Sequence, residues 1–207
     1  MKPHPRVLAA IVLASVLVGA LPCAAADVVP IARVTELPRD VLETKPDVVV
    51  RGIVIRTRPA KKDLILEDAS GGIWVDVDKL AAGDDPPLDT TSIVPGMEIE
   101  VRGRVSPGGF SPPLAAATVR ILGSPGLGAP RRVDPERLFR GAEDCRFVEL
   151  TAVLQHPQDA GDRWKIVLES ASRLLMAEIP KERIDVDPRT LVDAEVRIAG
   201  PTVSLFN

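Results

Sequence analysis

The chain has 207 residues, 26 Lys+Arg against 29 Asp+Glu, and a net charge of −3. Residues 1–26 hold Lys2 and Arg6 and no acid, which leaves residues 27–207 at −5. That balance disfavours a nucleic-acid partner, because phosphate binding is driven by cations that displace counterions. Length allows one or two domains with real cores.

Residues 1–26 carry the three parts of an export signal. Lys2 and Arg6 form the positive start, and Val7 to Leu21 is an apolar run. The run is shorter than the ~20 residues that cross a bilayer. Ala24-Ala25-Ala26 before Asp27 supplies small residues for cleavage, with Ala24 and Ala26 at the recognition positions. An uncleaved anchor and a lipoprotein built on Cys23 are the alternatives, the latter disfavoured by Pro22 directly before the cysteine. The expected mature product is periplasmic or secreted, bacterial, and without a membrane span unless the native product is longer.

After cleavage Cys145 is the only cysteine and His156 the only histidine. No intramolecular disulfide can form, and a histidine-rich metal site is excluded. Cys145 is expected to be structural. His156-Pro157 reads as an exposed turn.

An internal repeat gives the architecture. Leu64–Val77 returns as Ile166–Ile179, with Leu66, Glu67, Ala69 and Ser70 recurring as Leu168, Glu169, Ala171 and Ser172. Val48–Ile55 matches Phe147–Leu154, Met97–Gly103 matches Ala194–Gly200, and Arg33-Val34 opens a short helical stretch as Arg132-Val133 does.

In the first unit Val48–Ile55 is a β-branched run that suits a strand. Leu64–Glu67 and Ile73–Val77 flank the turn formers Asp68–Gly72 and predict a hairpin. Ile73, Val75 and Val77 alternate with Trp74 and Asp76, so one face is buried. The polar stretch Lys79–Val94 is a loop, Glu98–Val105 a fourth strand and Leu114–Leu122 a fifth. Five short strands with the longest connection between the third and fourth fit an OB-like barrel. Residues 123–131, rich in glycine and proline, form a linker between a first unit at 27–122 and a second at 132–207. The second unit reaches Val196–Phe206 as its fourth strand and has no counterpart of Leu114–Leu122. It is expected to be incomplete, to be finished by a partner strand, or to tolerate four strands. The fold class is all-β, two tandem OB-like barrels with short lead-in helices.

Several segments together match a known pattern. They are Val50–Val54, Leu64–Val77, Pro95–Gly103, Pro107–Phe110, Gly141–Asp144, Phe147–Glu149 and Ser204–Asn207. These resemble the tandem OB-like extracytoplasmic sensor region that precedes the membrane helix of some bacterial sensor histidine kinases. The resemblance covers residues from about Ile31 onward, and the motifs are loose. Related units also occur in exported nucleases and unassigned secreted proteins. The kinase core and membrane helix are missing, so the resemblance implies an input role and no phosphotransfer.

OB folds bind ligands on the face of strands two and three, flanked by the first–second and fourth–fifth loops. Here those loops supply Arg56, Arg58, Lys61 and Lys62, and Phe110. Trp74 lies between them. Cations beside two aromatics suit an anionic or aromatic ligand. The competing reading is a solvated turn, with Trp74 packed on the lead-in helix and Phe110 capping the barrel. The second unit has an acidic first loop, Pro157–Asp162, and its Trp164 is expected ahead of the strand. Asp84-Asp85 and Glu67-Asp68 raise Ca²⁺ ligation or acid–base catalysis. Yet Ca²⁺ needs about six to eight oxygens from a defined loop, so they are expected to be solvated charges. No catalytic residue, metal ligand or cofactor is assigned. The expected function is a non-catalytic binding or sensing module for an unknown small ligand or protein partner. The alternatives are a free periplasmic scaffold finished by strand addition, or an accessory unit of a secreted enzyme.

Overall fold

A computed structural model of the chain describes residues 27–78, 80, 89–108 and 110–204. The expected export signal, with Ala24 and Ala26, and the pair Asp84-Asp85 lie outside the described residues.

In the first unit two single-turn helices, α1 (Ile31–Thr35) and α2 (Arg39–Glu43), lead into β1 (Asp47–Arg58). Then follow β2 (Asp63–Glu67), β3 (Gly72–Asp76), β4 (Glu98–Val105) and β5 (Leu114–Gly123). They close into a barrel in the order β1-β2-β3-β5-β4, the OB order. β1 serves both halves, pairing β4 through Asp47–Ile53 and β2 through Ile53–Arg58, with a bulge between Val54 and Arg56. Closure comes from the parallel pairing of β3 with β5 at Val75 and Leu114. Inside, Val50, Val54, Ile73, Val75, Ile99, Val101 and Leu114 are fully buried with Ile31 of α1.

The second unit repeats this plan and, among the described residues, leaves it open. Its elements are β6 (Arg131–Arg132), α3 (Pro135–Phe139), β7 (Phe147–Asp159), β8 (Arg163–Ser170), β9 (Arg173–Pro180) and β10 (Glu195–Pro201). The sheet runs β10-β7-β8-β9, with β6 alongside β7, so β9 and β10 end it on opposite sides. The fourth strand is shorter than Val196–Phe206. Beyond Pro201 the chain stays tied to the junction, the Thr202 N–H donating to the Arg146 carbonyl at 2.9 Å and the Cys145 N–H to the Thr202 carbonyl at 3.1 Å.

The structure corrects parts of the repeat alignment. β7 has its bulge between Leu154 and His156, so it matches β1 at an offset of 100 residues: Val50, Gly52 and Val54 correspond to Leu150, Ala152 and Leu154. Matching Val48 to Phe147 is one residue out, and one residue of slip turns every side chain to the wrong face. The lead-in is shifted too. The parallel bridge of Val28 with Val49 is repeated by Arg132 with Glu149, so α1 corresponds to α3 and Arg33-Val34 to Arg137-Leu138. The hairpin and fourth-strand matches stand as aligned, since Leu66 faces Val54 as Leu168 faces Leu154.

His156 and Pro157 lie within β7, not in a turn, although His156 is exposed. Trp164 lies within β8, opposite Ile179, and is buried in the second core. Both errors have one cause: the central strands run past the bulge and are longer than their β-branched segments.

Candidate functional site

β1 also runs on, and this builds the predicted face. Arg56 and Arg58 are strand residues of β1, not loop residues, and alternate with Thr57 so that both project on one side. Trp74, in β3, shares that side. The Arg58 guanidinium stands 4.7 Å from the centre of the indole and that of Arg56 5.5 Å. Both lie within cation–π range.

The two arginines differ in what holds them. Arg58 forms a fork with Asp63, at 2.8 Å from Nε and 2.5 Å from Nη2, so its charge is answered within the barrel. Arg56 has no hydrogen bond or ion pair among the described residues. Burial and then the neighbouring Arg58 lower its pKa, opposed by Asp63 and Glu178. It remains a cation with its donors unspent.

Lys61 and Lys62 lie in the short turn after β1 and are exposed. The Lys62 ammonium is 2.6 Å from Asp78 Oδ1, which raises its pKa. Phe110 departs from the expected site. Its ring packs on Gly141, where φ is +74° and an added Cβ would run into the ring, which places it at the junction with the second unit. Trp74, with Phe147 and Val203, packs against the buried cluster of Ile55, Ile65 and Cys145 rather than on the cluster that holds Ile31 and Val34 of α1. The outer face of the first barrel is therefore partly covered by the start of the second unit.

That junction is the feature sequence reasoning missed. Arg146, only 5% exposed, bonds Glu67 at 3.1 Å and donates to the Asp68 carbonyl at 3.0 Å. Glu67 also accepts the Phe147 N–H at 2.9 Å. Burial is the largest influence on Glu67 and raises its pKa, against the opposing pull of Phe147 and Arg146. Asp68 has a different task. It accepts from the Ile31 N–H at 2.9 Å, the Gly71 N–H at 2.8 Å and Ser70, tying α1 to the hairpin. The Glu67-Asp68 pair is thus committed to structure rather than solvated. Next to it Gly72 has no room for a side chain, since a Cβ would strike the Cys145 carbonyl.

A polar cleft of about 270 Å³ opens at this junction, lined by Ser70, Gly71, Phe110, Arg131, Arg137 and Arg146. Its cations are matched internally. Glu143, buried at its floor, takes Arg137 at 2.8 Å and Arg131 at 3.9 Å. Asp144 accepts from Ser111 at 2.8 Å and the Ser204 N–H at 2.7 Å. The cleft therefore offers no spare charge comparable to Arg56.

The second unit has no copy of the platform. At the offsets set by the register, His156 replaces Arg56, Gln158 replaces Arg58 and Met176 replaces Trp74. Among the described residues no His, Cys, Asp and Glu side chains gather in the threes a metal needs. Nor is any helix there long and apolar enough to cross a membrane.

No family model and no curated protein matches the chain. Solved structures do. The hypothetical protein ygiW from E. coli is 20% identical, over 46% of this chain and 90% of that one, with a TM-score of 0.36. The p204 HINb domain is 11% identical over 75% and 86%, at 0.32. Fission yeast Pot1, solved with ssDNA, is 10% identical over 83% and 77%, also at 0.32. The OB-like character of this chain rests on its own strand order and register.

Proposed function

We propose that the chain is an exported, non-catalytic binding module that serves as the extracytoplasmic input region of a bacterial signalling receptor. Its ligand surface is the Arg56–Trp74–Arg58 platform, and its ligand a small planar anion. One observation supports this reading: a partly buried guanidinium with no hydrogen bond or ion pair among the described residues, Arg56, is stacked on an indole beside a second guanidinium already neutralised by Asp63. Such a pair offers a π-face and unspent donors at one point. Nucleic acid is not the ligand of this reading. The net charge of residues 27–207 is −5, and Lys62, which could have tracked a phosphate backbone, is engaged with Asp78.

Titration with benzoate and nicotinate, followed by tryptophan fluorescence, tests the platform. Saturable quenching is expected in the millimolar range, corresponding to about −4 kcal/mol, and Arg56→Gln should abolish it while leaving the fold intact. If neither probe saturates, or if the variant binds as well as the parent, the platform is not the ligand site. A dT15 oligonucleotide in the same assay should not bind at moderate salt. Salt-sensitive retention of it would instead favour the enzyme-accessory reading. Export is checked separately, by sequencing the N-terminus of the protein from a cell envelope fraction, where a start at Asp27 is expected.

A further inference from the structure

The two units carry the same strands up to one point, and the first unit shows what the second lacks there. Between β3 and β4 lies β5, parallel to β3 and antiparallel to β4. Its Leu114, Ala116 and Val119 seal the barrel. With β5 in place, Ile73, Val75, Ile99 and Val101 are all fully buried. Their counterparts by register are Leu175, Ala177, Val196 and Ile198. All four face the second core, yet all four are only partly buried. The same positions differ in burial because no strand stands between β9 and β10 among the described residues.

Charge across the gap adds a second constraint. On β4, Glu100 faces β5 and binds Arg120 at 2.8 Å. The residue in the place of Glu100 on β10 is Arg197. Its nearest anion is Glu149 at 3.6 Å, and its side chain is 65% exposed. An occupant of the gap would therefore meet a cation where β5 meets an anion.

We propose that the gap between β9 and β10 is a strand-accepting site for an extended segment of a partner polypeptide. The segment runs parallel to β9 and antiparallel to β10. It places apolar side chains at alternate positions over Leu175, Ala177, Val196 and Ile198, and an acidic side chain against Arg197. Backbone groups on the two free edges give affinity, while the alternating core pockets and Arg197 give selectivity. This site is separate from the Arg56–Trp74 platform, so either can fail without the other.

The probe is the protein's own solution to the same problem: a labelled ten-residue peptide with the sequence Leu114–Gly123, and a second with Arg120→Glu. Fluorescence anisotropy gives the affinity. Amide exchange over 173–180 and 195–201 gives the location. Both peptides should slow exchange at those two segments, and the acidic one should bind about two- to fivefold tighter, the range of a cross-strand charge pair. Arg197→Glu, at an exposed position that leaves the core untouched, should reverse the order of the two peptides. The proposal is overturned if neither peptide protects the two edges, or if Arg197→Glu leaves their order unchanged. It is equally overturned if the edges are already protected without peptide, whether by a second copy, which sedimentation would reveal, or by the chain itself.

Discussion

Cys145 illustrates how burial decides chemistry at the level of one side chain. It is 2% exposed and sits in the Trp74 cluster, with its thiol 3.7 Å from Asp144 Oδ2. Burial first, and the adjacent Asp144 charge second, push its pKa far up, so the thiolate that reagents need is scarce. Ellman's reagent should therefore leave the native protein unlabelled over hours and modify one thiol per molecule in denaturant. Prompt labelling without denaturant would mean that the two units part readily. Composition alone supported the structural role of this cysteine. The cause was invisible in the sequence, because the groups around it come from β1, β2, β3 and the chain beyond β10. The arginines of the platform show the reverse case. That Arg56, Arg58 and Trp74 come together was legible in the sequence, but the placement of the arginines in a strand rather than a loop was not. β1 outlasts its apolar run, and alternation rather than hydrophobicity puts Arg56 and Arg58 on the indole.

At the scale of elements, short pieces depend on loop side chains rather than on their own propensity. A five-residue helix such as α1 cannot stand alone in water. It is fixed through Asp68, the acid of the β2–β3 hairpin, which takes its Ile31 N–H. Burial alone would raise the pKa of Asp68, but hydrogen bonds from Ser70, Ile31 and Gly71 outweigh it and hold the carboxyl below its ordinary value. A group depressed in the folded state stabilises above its unfolded pKa, about 3.9, and that contribution is lost as pH falls through the folded value. Melting temperature should thus drop as pH goes from about 5 to about 3. Asp68→Asn should lower it at neutral pH and flatten the acid slope. Glu67 acts with the opposite sign, since its raised pKa favours the protonated form and its contribution fades as pH rises through the folded value. An acid slope unchanged in Asp68→Asn would assign the effect to other depressed acids, of which Glu100, held down by Arg51 and Arg120, is the first to test. The strands and the hairpin repeat were readable because period-two patterning and turn formers are local. Bulges are not local. A single extra residue before Arg56 and before His156 decided which face each later residue took.

Whether the two units behave as one molecule turns on Arg146. A linker rich in glycine and proline suggests beads on a string, but the linker itself is tied down by the Gly126 N–H on the Gly96 carbonyl at 3.0 Å. Beyond it Arg146 enters the first barrel's hairpin, binding Glu67 and the carbonyls of Asp68 and Ala69, while Phe147 and Val203 pack on the buried Ile55, Ile65 and Cys145. The second unit, whose buried centre is rimmed by partly exposed Leu175, Ala177, Val196 and Ile198, is expected to be the weaker partner and to gain stability across this contact. The native chain should melt in a single calorimetric transition. Arg146→Ala removes a buried cation and leaves Glu67 with only the Phe147 N–H and the Asp68 and Ala69 carbonyls without the guanidinium, and deleting one partner of a buried pair costs about 3–5 kcal/mol. The transition should then split, with the second unit melting first and the first barrel retaining most of its midpoint. Pairing Arg146→Met with Glu67→Gln removes both charges together, so it should restore part of the loss. A native chain that already melts in two steps, unaltered by Arg146→Ala, would show that the junction seats the units without coupling them.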